Sequence, residues 1–323
     1  MRFSPRAAGL FMAVVTVAIW TGFVVFARAS AKYTLTPFDI AFLRFVGAGL
    51  VLLPWGWWLV RRQPRGAGWL GLSPLSLRLT AGLGLSAGLI YSLAAYSGFF
   101  LAPAAHGAVL MPGSLPLWTT LLAAVVLGDR ITPLRAGGLA LIVLGDLMVG
   151  GQSLLQAFDG GTVWIGDLLF MTAAASWSVY GVMVRRHRLD AVHATIALVV
   201  FMVFSYLPAY ALLAWSGWVE SGLSAAPWTE IITQMVVQGV LSVAISGITF
   251  TRMIEYWGPV RSTMVTALVP GLSALGAVFF LGEPLSWHLM LGLMLVTTGI
   301  VLGVLSSRRL VPTPTAVIER PAP

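Results

Sequence analysis

The chain has 323 residues, of which 58% are hydrophobic and 9% are charged, with a mean hydropathy of +0.91. A soluble domain carries about a quarter of its residues as charged side chains, so this composition excludes a water-soluble protein. The net charge of +8 does not indicate nucleic-acid binding, because the basic residues are scattered between apolar runs. The absence of cysteine excludes disulfides, thiolate metal sites and thiol nucleophiles.

Ten apolar runs follow one another along the chain, each long enough for a helix of about 20 residues that spans a membrane. Only a helix or a closed barrel satisfies its backbone in lipid, and runs of this length without alternation are helical. The predicted helices are Ala8–Ala27, Phe38–Val60, Leu79–Phe100, Ala105–Leu127, Leu134–Gly150, Trp164–Val184, His193–Gly217, Thr233–Ile254, Ser262–Leu281 and Trp287–Leu305. We therefore expect an all-α integral membrane protein with no separate soluble domain.

The basic residues predict how this bundle lies in the membrane. Fifteen of the 19 Arg and Lys residues fall at the N-terminus, in the loops after even-numbered helices or in the C-terminal tail, whereas Arg28 and Lys32 lie on the other side. Because cytoplasmic loops are enriched in basic residues, both termini are expected to be cytoplasmic, in the inner membrane of the cell. Residues 311–323, rich in Pro and Thr, are expected to form a disordered cytoplasmic tail.

The two halves of the chain resemble each other at constant spacings. Matches at a spacing of 154 or 157 residues are Pro116 with Pro270, Leu127-Gly128-Asp129 with Leu281-Gly282-Glu283, Gly138 with Gly292, Gly145 with Gly299, Trp20 with Trp177, Phe23 with Tyr180, and Arg28 with Arg185. Each half holds five helices, and because five is odd, the second half enters the membrane from the opposite side. The sequence thus predicts two inverted repeats, residues 1–155 and 156–310, the architecture of alternating-access transporters.

Several of these motifs resemble a known family. Ile19-Trp20-Thr21-Gly22, Phe42-Leu43-Arg44-Phe45, Ser176-Trp177 and the two runs from Pro to Leu-Gly-acid are similar to the EamA repeats of the drug/metabolite transporter superfamily, over nearly the whole chain. The resemblance implies a ten-helix exporter of amino acids or other metabolites with a central cavity between the halves. The aromatic content resembles the YddG-type branch, which exports aromatic amino acids. Asp129 departs from the usual Glu but keeps the charge.

Aromatic and hydroxyl side chains are the candidates for binding a substrate. Trp20 and Phe23 share one face of the first helix, and Trp177 and Tyr180 share one face of the sixth. Trp and Tyr combine an apolar body with a hydrogen-bond donor, which suits a ligand with an apolar side chain and a polar end. Helix packing or an interfacial belt is the alternative role. The further candidates, chosen for their positions within the third and eighth helices, are Tyr91, Ser246 and Thr249.

Two arginines fall inside predicted helices, where an ionisable group costs roughly 2.5–3.5 kcal/mol on insertion scales. Arg44, about two turns into the second helix, is a candidate for holding a substrate carboxylate; anchoring of neighbouring helix ends and snorkelling are the alternatives. Arg252 and Glu255 are three residues apart and are expected to pair, with a cytoplasmic gate as the more specific hypothesis.

The remaining ionisable side chains offer no obvious carrier for a proton. Asp146, Asp167 and His106 are expected toward the outer face, where water solvates them, so no carboxylate is predicted at mid-membrane. A facilitator is therefore as credible as a proton antiporter. A neutral or zwitterionic substrate fits better than a strongly charged one.

Prolines and glycines indicate where helices bend and pack. Pro112 and Pro116 in the fourth helix and Pro270 in the ninth interrupt helical hydrogen bonding and are predicted bending points for gating. Small residues recur on the fifth and tenth helices at Gly138, Gly145, Gly292, Gly299 and Gly303. They predict close packing within the fold, or alternatively a dimer contact, so we expect a monomer or a weak homodimer.

The sequence favours a secondary transporter that exports a small-molecule substrate across the lipid bilayer, most of all neutral or aromatic amino acids. A membrane-embedded enzyme is a remote alternative because the four His residues are dispersed without metal-ligand spacing, and no metal or cofactor is expected. An ATP-driven pump would need a phosphate-binding loop, and a channel would need a repeated pore loop or a ring of charges; the sequence contains none of these. An exporter of drug-like or quaternary-ammonium cations would favour a mid-membrane carboxylate, and a sugar-nucleotide carrier would favour basic residues in the cavity.

Overall fold

The computed structural model describes residues 5–62, 68–156, 160–250, 252–253 and 268–308, and these residues contain helices and turns but no β-strand. We number their ten helices in chain order as α1 Pro5–Ser30, α2 Pro37–Arg62, α3 Leu77–Leu101, α4 Ala104–Leu127, α5 Pro133–Gln156, α6 Val163–His187, α7 Ala191–Trp215, α8 Trp228–Phe250, α9 Leu268–Leu281 and α10 Trp287–Arg308. Eight are long and apolar enough to cross a membrane, and α9 and α10 add shorter apolar stretches. The predicted all-α fold of ten transmembrane helices in two inverted five-helix repeats is confirmed.

Helix boundaries depart from the predicted ones where polar residues prolong a span. α5 continues from Gly150 to Gln156, and α8 begins at Trp228 rather than Thr233. A run of apolar residues ends at the first polar side chains, whereas the backbone hydrogen bonds of the helix continue past them. Part of the predicted ninth helix, residues 262–267, lies outside the described residues.

The outside of the bundle is apolar, as a lipid-facing surface requires. Phe279 and Phe280 are each 80% exposed. Exposed tryptophans mark the ends of the helices: Trp57 and Trp58 near the end of α2, and Trp215, Trp218 and Trp228 around the loop between α7 and α8. Tryptophan concentrates at membrane–water interfaces, so these side chains mark the two borders of the hydrocarbon layer. We call the end of the bundle where α1 begins the proximal end and the opposite end the distal end.

A capping box begins α2 at the distal end. The Thr36 hydroxyl accepts a hydrogen bond from the Asp39 amide at 3.2 Å, and the Asp39 carboxylate accepts from the Thr36 amide at 2.8 Å. The same carboxylate accepts hydrogen bonds from the Ser221 hydroxyl at 2.7 Å, the Gly222 amide at 2.8 Å and the Tyr210 hydroxyl. Asp39 therefore fixes the start of α2 against α7 and the loop that follows it.

Three of the described helices contain π-helical segments, which hold about one extra residue per turn. These are Gly84–Ile90 in α3, Val109–Gly113 in α4 and Met235–Ile245 in α8. α3 and α8 are repeat equivalents, so the irregularity recurs in both halves. Pro112 lies within the π-helical segment of α4, and Pro116 lies in the first turn of the regular helix after it. Pro270 is buried in the first described turn of α9.

Glycines let α5 and α10 approach each other to backbone contact. A methyl group at Gly138 would lie 2.6 Å from the Gly299 carbonyl oxygen, and one at Gly145 would lie 2.6 Å from the Gly292 carbonyl oxygen. Side chains on either helix would hold the two backbones apart. These four glycines therefore pack within the chain, where they join the last helix of one repeat to the last helix of the other.

Gly138→Ala is expected to destabilise the protein by about 1–3 kcal/mol, because the backbone atoms that the new methyl group meets cannot move aside without a shift of the whole helix. The neighbouring Gly137→Ala is the matched control, since nothing lies within 4 Å of a methyl group there. It should be neutral or stabilise the helix by up to about 1 kcal/mol. Thermal unfolding of both variants in detergent measures the difference, and equal melting temperatures would contradict this packing.

Candidate substrate cavity

A cavity with about 560 Å³ of empty space, part of it open to solvent, lies between the two halves of the bundle. Its described walls come from four helices of the first repeat and three of the second. The lining side chains are Trp20, Phe23, Val24, Arg44, Tyr91, Met111, Pro112, Leu115, Ala174, Trp177, Ser242, Ser246 and Val269. Most are apolar or aromatic and a few are polar, the composition of a small-molecule site.

Arg44 is the one charged side chain in the described lining and is only 3% exposed. Its Nη1 donates hydrogen bonds to the Tyr96 hydroxyl at 3.1 Å and to the Ser242 hydroxyl at 3.2 Å. Its Nε is buried without a hydrogen-bond partner, and no carboxylate pairs with it among the described residues. A buried guanidinium is costly unless its charge and its N–H groups are matched. Arg44 therefore presents an incompletely matched cation in the cavity wall and does not snorkel to the surface.

Close packing of α2 against α8 holds Arg44 in this position. A methyl group at Gly239 on α8 would lie 2.6 Å from the Arg44 carbonyl oxygen, and one at Gly47 on α2 would collide with the Met235 carbonyl oxygen. The two glycines therefore bring the helix backbones into contact. This contact places Ser242, one turn beyond Gly239, within hydrogen-bond reach of the guanidinium.

Aromatic rings surround the guanidinium of Arg44. Its central carbon lies 5.6 Å from the centre of the Phe23 ring and 5.9 Å from the centres of the Phe45 and Tyr91 rings. Tyr91 in turn contacts Trp177 on α6, with 4.8 Å between the ring centres. Rings at these distances stabilise a cation through their quadrupoles but do not satisfy its N–H groups. The row of rings leads from the cation across to the second repeat.

The three π-helical segments all border this cavity. The segment in α3 ends directly before Tyr91, the one in α4 supplies Met111 and Pro112, and the one in α8 supplies Ser242. A π-helical turn rotates the side chains that follow it relative to a regular helix, and such turns recur at functional sites. The irregular backbone thus aims these side chains at the space between the repeats.

Among the described residues, two arginine–carboxylate ion pairs join the repeats, one at each end of the bundle. At the distal end, Arg28 Nε on α1 lies 3.1 Å from Glu283 Oε1, which follows α9. At the proximal end, Arg185 on α6 binds Asp129, which follows α4, through two hydrogen bonds of 2.6 and 3.0 Å. The spacings of 157 and 154 residues make Arg28 equivalent to Arg185 and Asp129 equivalent to Glu283. The same contact therefore occurs twice, upside down, with each acid paired to the arginine of the other half.

Two stretches of the chain, residues 7–151 and 164–305, match the model of the EamA-like transporter family. The chain belongs to the EamA-like transporter family. The predicted resemblance to the drug/metabolite transporter superfamily is thereby confirmed, and the protein is a multi-pass membrane transporter. Membership argues against an enzymatic activity.

Relatives of this EamA-like transporter match it at low identity. An uncharacterized transporter of Archaeoglobus fulgidus is 27% identical over 299 residues, which cover 89% of this chain and 94% of that protein. The uncharacterized transporter YvbV of Bacillus subtilis is 27% identical over 180 residues, 54% of this chain and 55% of that protein. A solved crystal structure also matches, with a TM-score of 0.58 and 25% sequence identity; the match covers 95% of this chain and 99% of the chain in that structure.

The structure brings together five of the seven predicted substrate-binding residues of this EamA-like transporter. Those that line the cavity are Trp20, Phe23, Tyr91, Trp177 and Ser246. Tyr180 lies behind Trp177, with 5.4 Å between the ring centres, and is not among the lining residues. The Thr249 hydroxyl shares a hydrogen bond of 2.9 Å with the Thr16 hydroxyl and likewise does not line the cavity. Both members of the pair Trp20 and Phe23 therefore line the cavity, whereas only Trp177 of the other pair does.

Sequence reasoning missed Ser242 and the apolar lining on α4. Ser242 lies one helical turn before Ser246, whose hydroxyl donates to the Ser242 carbonyl oxygen at 2.7 Å, so the spacing of four residues was a usable signal. Met111 and Leu115 carry no such signal, because any apolar residue of a membrane helix can face lipid, a neighbouring helix or a cavity.

The predicted gating residues lie in different surroundings. Pro112 lines the cavity, and Pro116 and Pro270 lie in helix turns beside it. Arg252 is exposed. Glu255 lies outside the described residues, so the predicted pairing of Arg252 with Glu255 stays a prediction.

The structure corrects the predicted surroundings of three titratable residues, His106 and Asp167 near the distal end and Asp146 farther into the bundle. His106 Nδ1 lies 2.9 Å from Asp167 Oδ1, and the Ser153 hydroxyl donates to the other oxygen of Asp167. Asp167 is 5% exposed and Asp146 is 7% exposed, so neither is solvated. The prediction was wrong because the distance of a residue from a loop does not reveal which face of its helix it occupies.

Proposed function

We propose that this EamA-like transporter exports small metabolites that combine a carboxylate with an apolar body, most of all neutral or aromatic amino acids, by alternating access through the central cavity. The observation that carries the proposal is Arg44, a buried guanidinium in the cavity wall without a carboxylate partner among the described residues. Guanidinium groups bind carboxylates through paired, charge-assisted hydrogen bonds. A substrate carboxylate would complete the charge and the hydrogen bonding of this side chain.

The rest of the cavity suits the other parts of an amino acid. Val24, Met111, Leu115 and Val269 offer apolar surface to a hydrophobic side chain. Aromatic faces and hydroxyl oxygens attract an ammonium group, and Trp20, Tyr91, Trp177 and Ser246 supply both kinds of group. A zwitterion brings no net charge into the membrane, which keeps the cost of its transfer low.

The two ion pairs support alternating access. Each ties a helix of one repeat to a helix of the other at one end of the bundle, and the inverted symmetry makes them equivalent contacts at opposite mouths of the cavity. Breaking one pair while keeping the other would open one mouth and leave the other closed. Export from the cytoplasm follows from the predicted orientation, with the proximal end cytoplasmic, and from the resemblance to exporters.

The alternative of a drug-like or quaternary-ammonium cation fits the cavity less well. No acidic side chain is among its described lining residues, and Arg44 repels a cation. At a separation of about 6 Å and an effective dielectric constant of about 20, two like charges repel by roughly 3 kcal/mol. Two of the lining rings, Phe23 and Tyr91, already lie within 6 Å of the guanidinium.

Transport of labelled amino acids by purified protein in liposomes tests the proposal. We expect the protein to exchange external labelled tryptophan for internal unlabelled tryptophan, and phenylalanine and other neutral amino acids to compete. Decarboxylated tryptamine, which keeps the ring and the ammonium group, should compete at least about ten-fold less well, because it has no partner for Arg44. Competition by tryptamine or tetraphenylphosphonium as strong as that by tryptophan would favour the cation exporter.

A further inference from the structure

Asp146 on α5 is a buried carboxyl group that the proposed binding site does not use. It lies about 20 Å along a helix of roughly 36 Å, and therefore near the middle of the membrane. It is 7% exposed, and neither carboxylate oxygen has a hydrogen-bond partner among the described residues. This location contrasts with the prediction that no carboxylate lies at mid-membrane.

An ionised carboxylate is costly in such a place, whereas the same group carrying a proton is not. The packing of the fold does not require an acid here. The spacing of 154 residues that relates Gly145 to Gly299 places Ile300, which is 4% exposed, at the equivalent position of the second repeat. One repeat fills this position with an aliphatic side chain and the other with a group that binds or releases a proton.

A second cavity opens from the distal end toward Asp146. It holds about 530 Å³ of empty space, and its lining residues are Pro103, His106, Val149, Ser153, Gln156, Val163, Ser286, His288 and Leu289. Val149 is three residues beyond Asp146, a rise of about 4.5 Å along the helix. The distal cavity thus ends within about one helical turn of the carboxyl group.

The face of α5 that carries Asp146 also carries Ser153, which lines the distal cavity. Residues 146, 150 and 153 share one face of a helix. A methyl group at Gly150 would lie 3.8 Å from an oxygen of Asp167, and the Ser153 hydroxyl donates to that oxygen. Asp167 also binds His106, whose side chain is 21% exposed. This chain of polar groups runs from the mouth of the distal cavity toward the turn that holds Asp146.

Other titratable groups lie on each helix packed against α5. In the distal half these are His106 on α4, Asp167 on α6 and His288 on α10, whose Nδ1 is buried without a partner among the described residues. Toward the proximal end they are Tyr180, Arg185, Arg186 and His187 on α6, and Arg135 on α5 itself, which donates to the Thr120 hydroxyl at 2.8 Å. Asp167 and Asp129 are both hydrogen-bonded, so Asp146 differs from them in having no partner in the described part of the bundle.

The π-helical segment of α4 connects this region to the central cavity. It packs against both α5 and α6, and its Met111 and Pro112 line the central cavity. A proton gained or lost at Asp146 changes the charge on the helix against which this irregular segment rests. This segment therefore touches both the helix that carries Asp146 and the central cavity.

We propose that Asp146 is a proton-binding site that exchanges with water through the distal cavity and couples substrate transport to proton movement; its coupling role rests on the proposed function. A proton from water at the distal end converts the carboxylate to the neutral acid, and its release to the other side of the membrane in the transport cycle restores the ionised carboxylate. Proton binding at Asp146 is separate from the substrate site, because Asp146 is not among the residues that line the central cavity.

Infrared difference spectroscopy between high and low pH tests proton binding without any substrate. We expect the wild-type protein to show the high-frequency carbonyl band of a protonated carboxylic acid buried away from water, in addition to the bands of its exposed acids, and the isosteric variant Asp146→Asn to lack it. Asp146→Ile, which copies the second repeat, should lack it too, and Glu220→Gln, at an exposed loop residue, should keep it. A band of equal size in wild type and Asp146→Asn would overturn the proposal.

Transport tests the coupling. In liposomes that are one pH unit more acidic inside and are held at zero membrane potential by potassium and valinomycin, the wild-type protein should accumulate labelled tryptophan about ten-fold if one proton leaves for each zwitterion that enters. Asp146→Asn should lose this accumulation while exchange at equal pH continues. Accumulation by Asp146→Asn equal to that by wild type, or none by a wild-type protein that exchanges tryptophan, would overturn the coupling. If tryptophan is not exchanged at all, the proposed function fails, and the infrared experiment still decides whether Asp146 binds the proton.

Discussion

Arg44→Gln is expected to lower the rate of tryptophan transport at limiting substrate by about 100-fold, which corresponds to about 2.7 kcal/mol of lost binding. The reason is the loss of a buried, charge-assisted contact with the substrate carboxylate. Arg44→Lys keeps the charge but loses the planar fork of donors and should retain about a tenth of the wild-type rate. Initial rates of exchange in liposomes at several tryptophan concentrations measure both effects.

Stability separates this role from a purely structural one. Glutamine in place of Arg44 leaves no buried charge behind, so the melting temperature should stay the same or rise. Arg62→Gln is the matched control, because Arg62 also lies over an aromatic ring, at 3.8 Å from the centre of Trp58, but is exposed and outside the cavity. A lower melting temperature of Arg44→Gln with unchanged tryptophan kinetics would mean that Arg44 serves only the fold.

The fold of this chain was predictable because lipid imposes a simple rule on the backbone. Long apolar runs must be helices, and an odd number of helices per repeat must invert the second copy. Matches such as Trp20 with Trp177 and Pro116 with Pro270 carried this information in the sequence alone. The π-helical segments left no comparable signal, since an extra residue in a turn changes neither composition nor apolar length.

The candidate site was predictable only in part, because the face of a membrane helix is hard to read from its sequence. Trp20 and Trp177 stood out as large residues at equivalent positions, and both line the cavity. Tyr180 has the same spacing on its helix as Phe23, yet lies behind Trp177. In lipid both the outside and the inside of a bundle are apolar, so no pattern of polarity separates a lining residue from its neighbour.

Asp146 shows the same difficulty for a charged residue. Its position in the sequence is compatible with an exposed site near the end of a shorter helix, and the predicted end at Gly150 placed it there. The longer helix to Gln156 moves it to the middle of the span. Its burial depends on how α5 packs against α4, α6 and α10, and this tertiary packing cannot be read from the sequence of α5.

Glu283→Gln is expected to favour the state of the transporter that is open at the distal end by about ten-fold. The distal pair is partly buried, with side chains of Arg28 and Glu283 that are 26% and 15% exposed. Arg28 also donates to the Phe99 carbonyl oxygen at 2.8 Å, and Glu283 accepts from the amides of Ala104 and Ala105 at 3.1 and 3.2 Å. Hydrogen bonds to a charged group contribute roughly 1.5–3 kcal/mol each, so neutralising this acid weakens several contacts that close the distal mouth.

Asp129→Asn is the matched variant at the proximal end, and its effect should be opposite and smaller. Arg185 and Asp129 are 61% and 25% exposed, and exposed pairs contribute about 0.2–1 kcal/mol.

Because the chain has no cysteine, Ala174→Cys in the cavity wall gives a single thiol whose modification by a membrane-impermeant reagent reports the open side. Modification from the distal side should accelerate in Glu283→Gln and modification from the proximal side in Asp129→Asn. The double variant Arg28→Glu with Glu283→Arg should restore part of the distal closure, because the exchanged charges can pair again. If neither single variant changed the distal or the proximal rate of modification relative to wild type, the ion pairs would not control the two mouths.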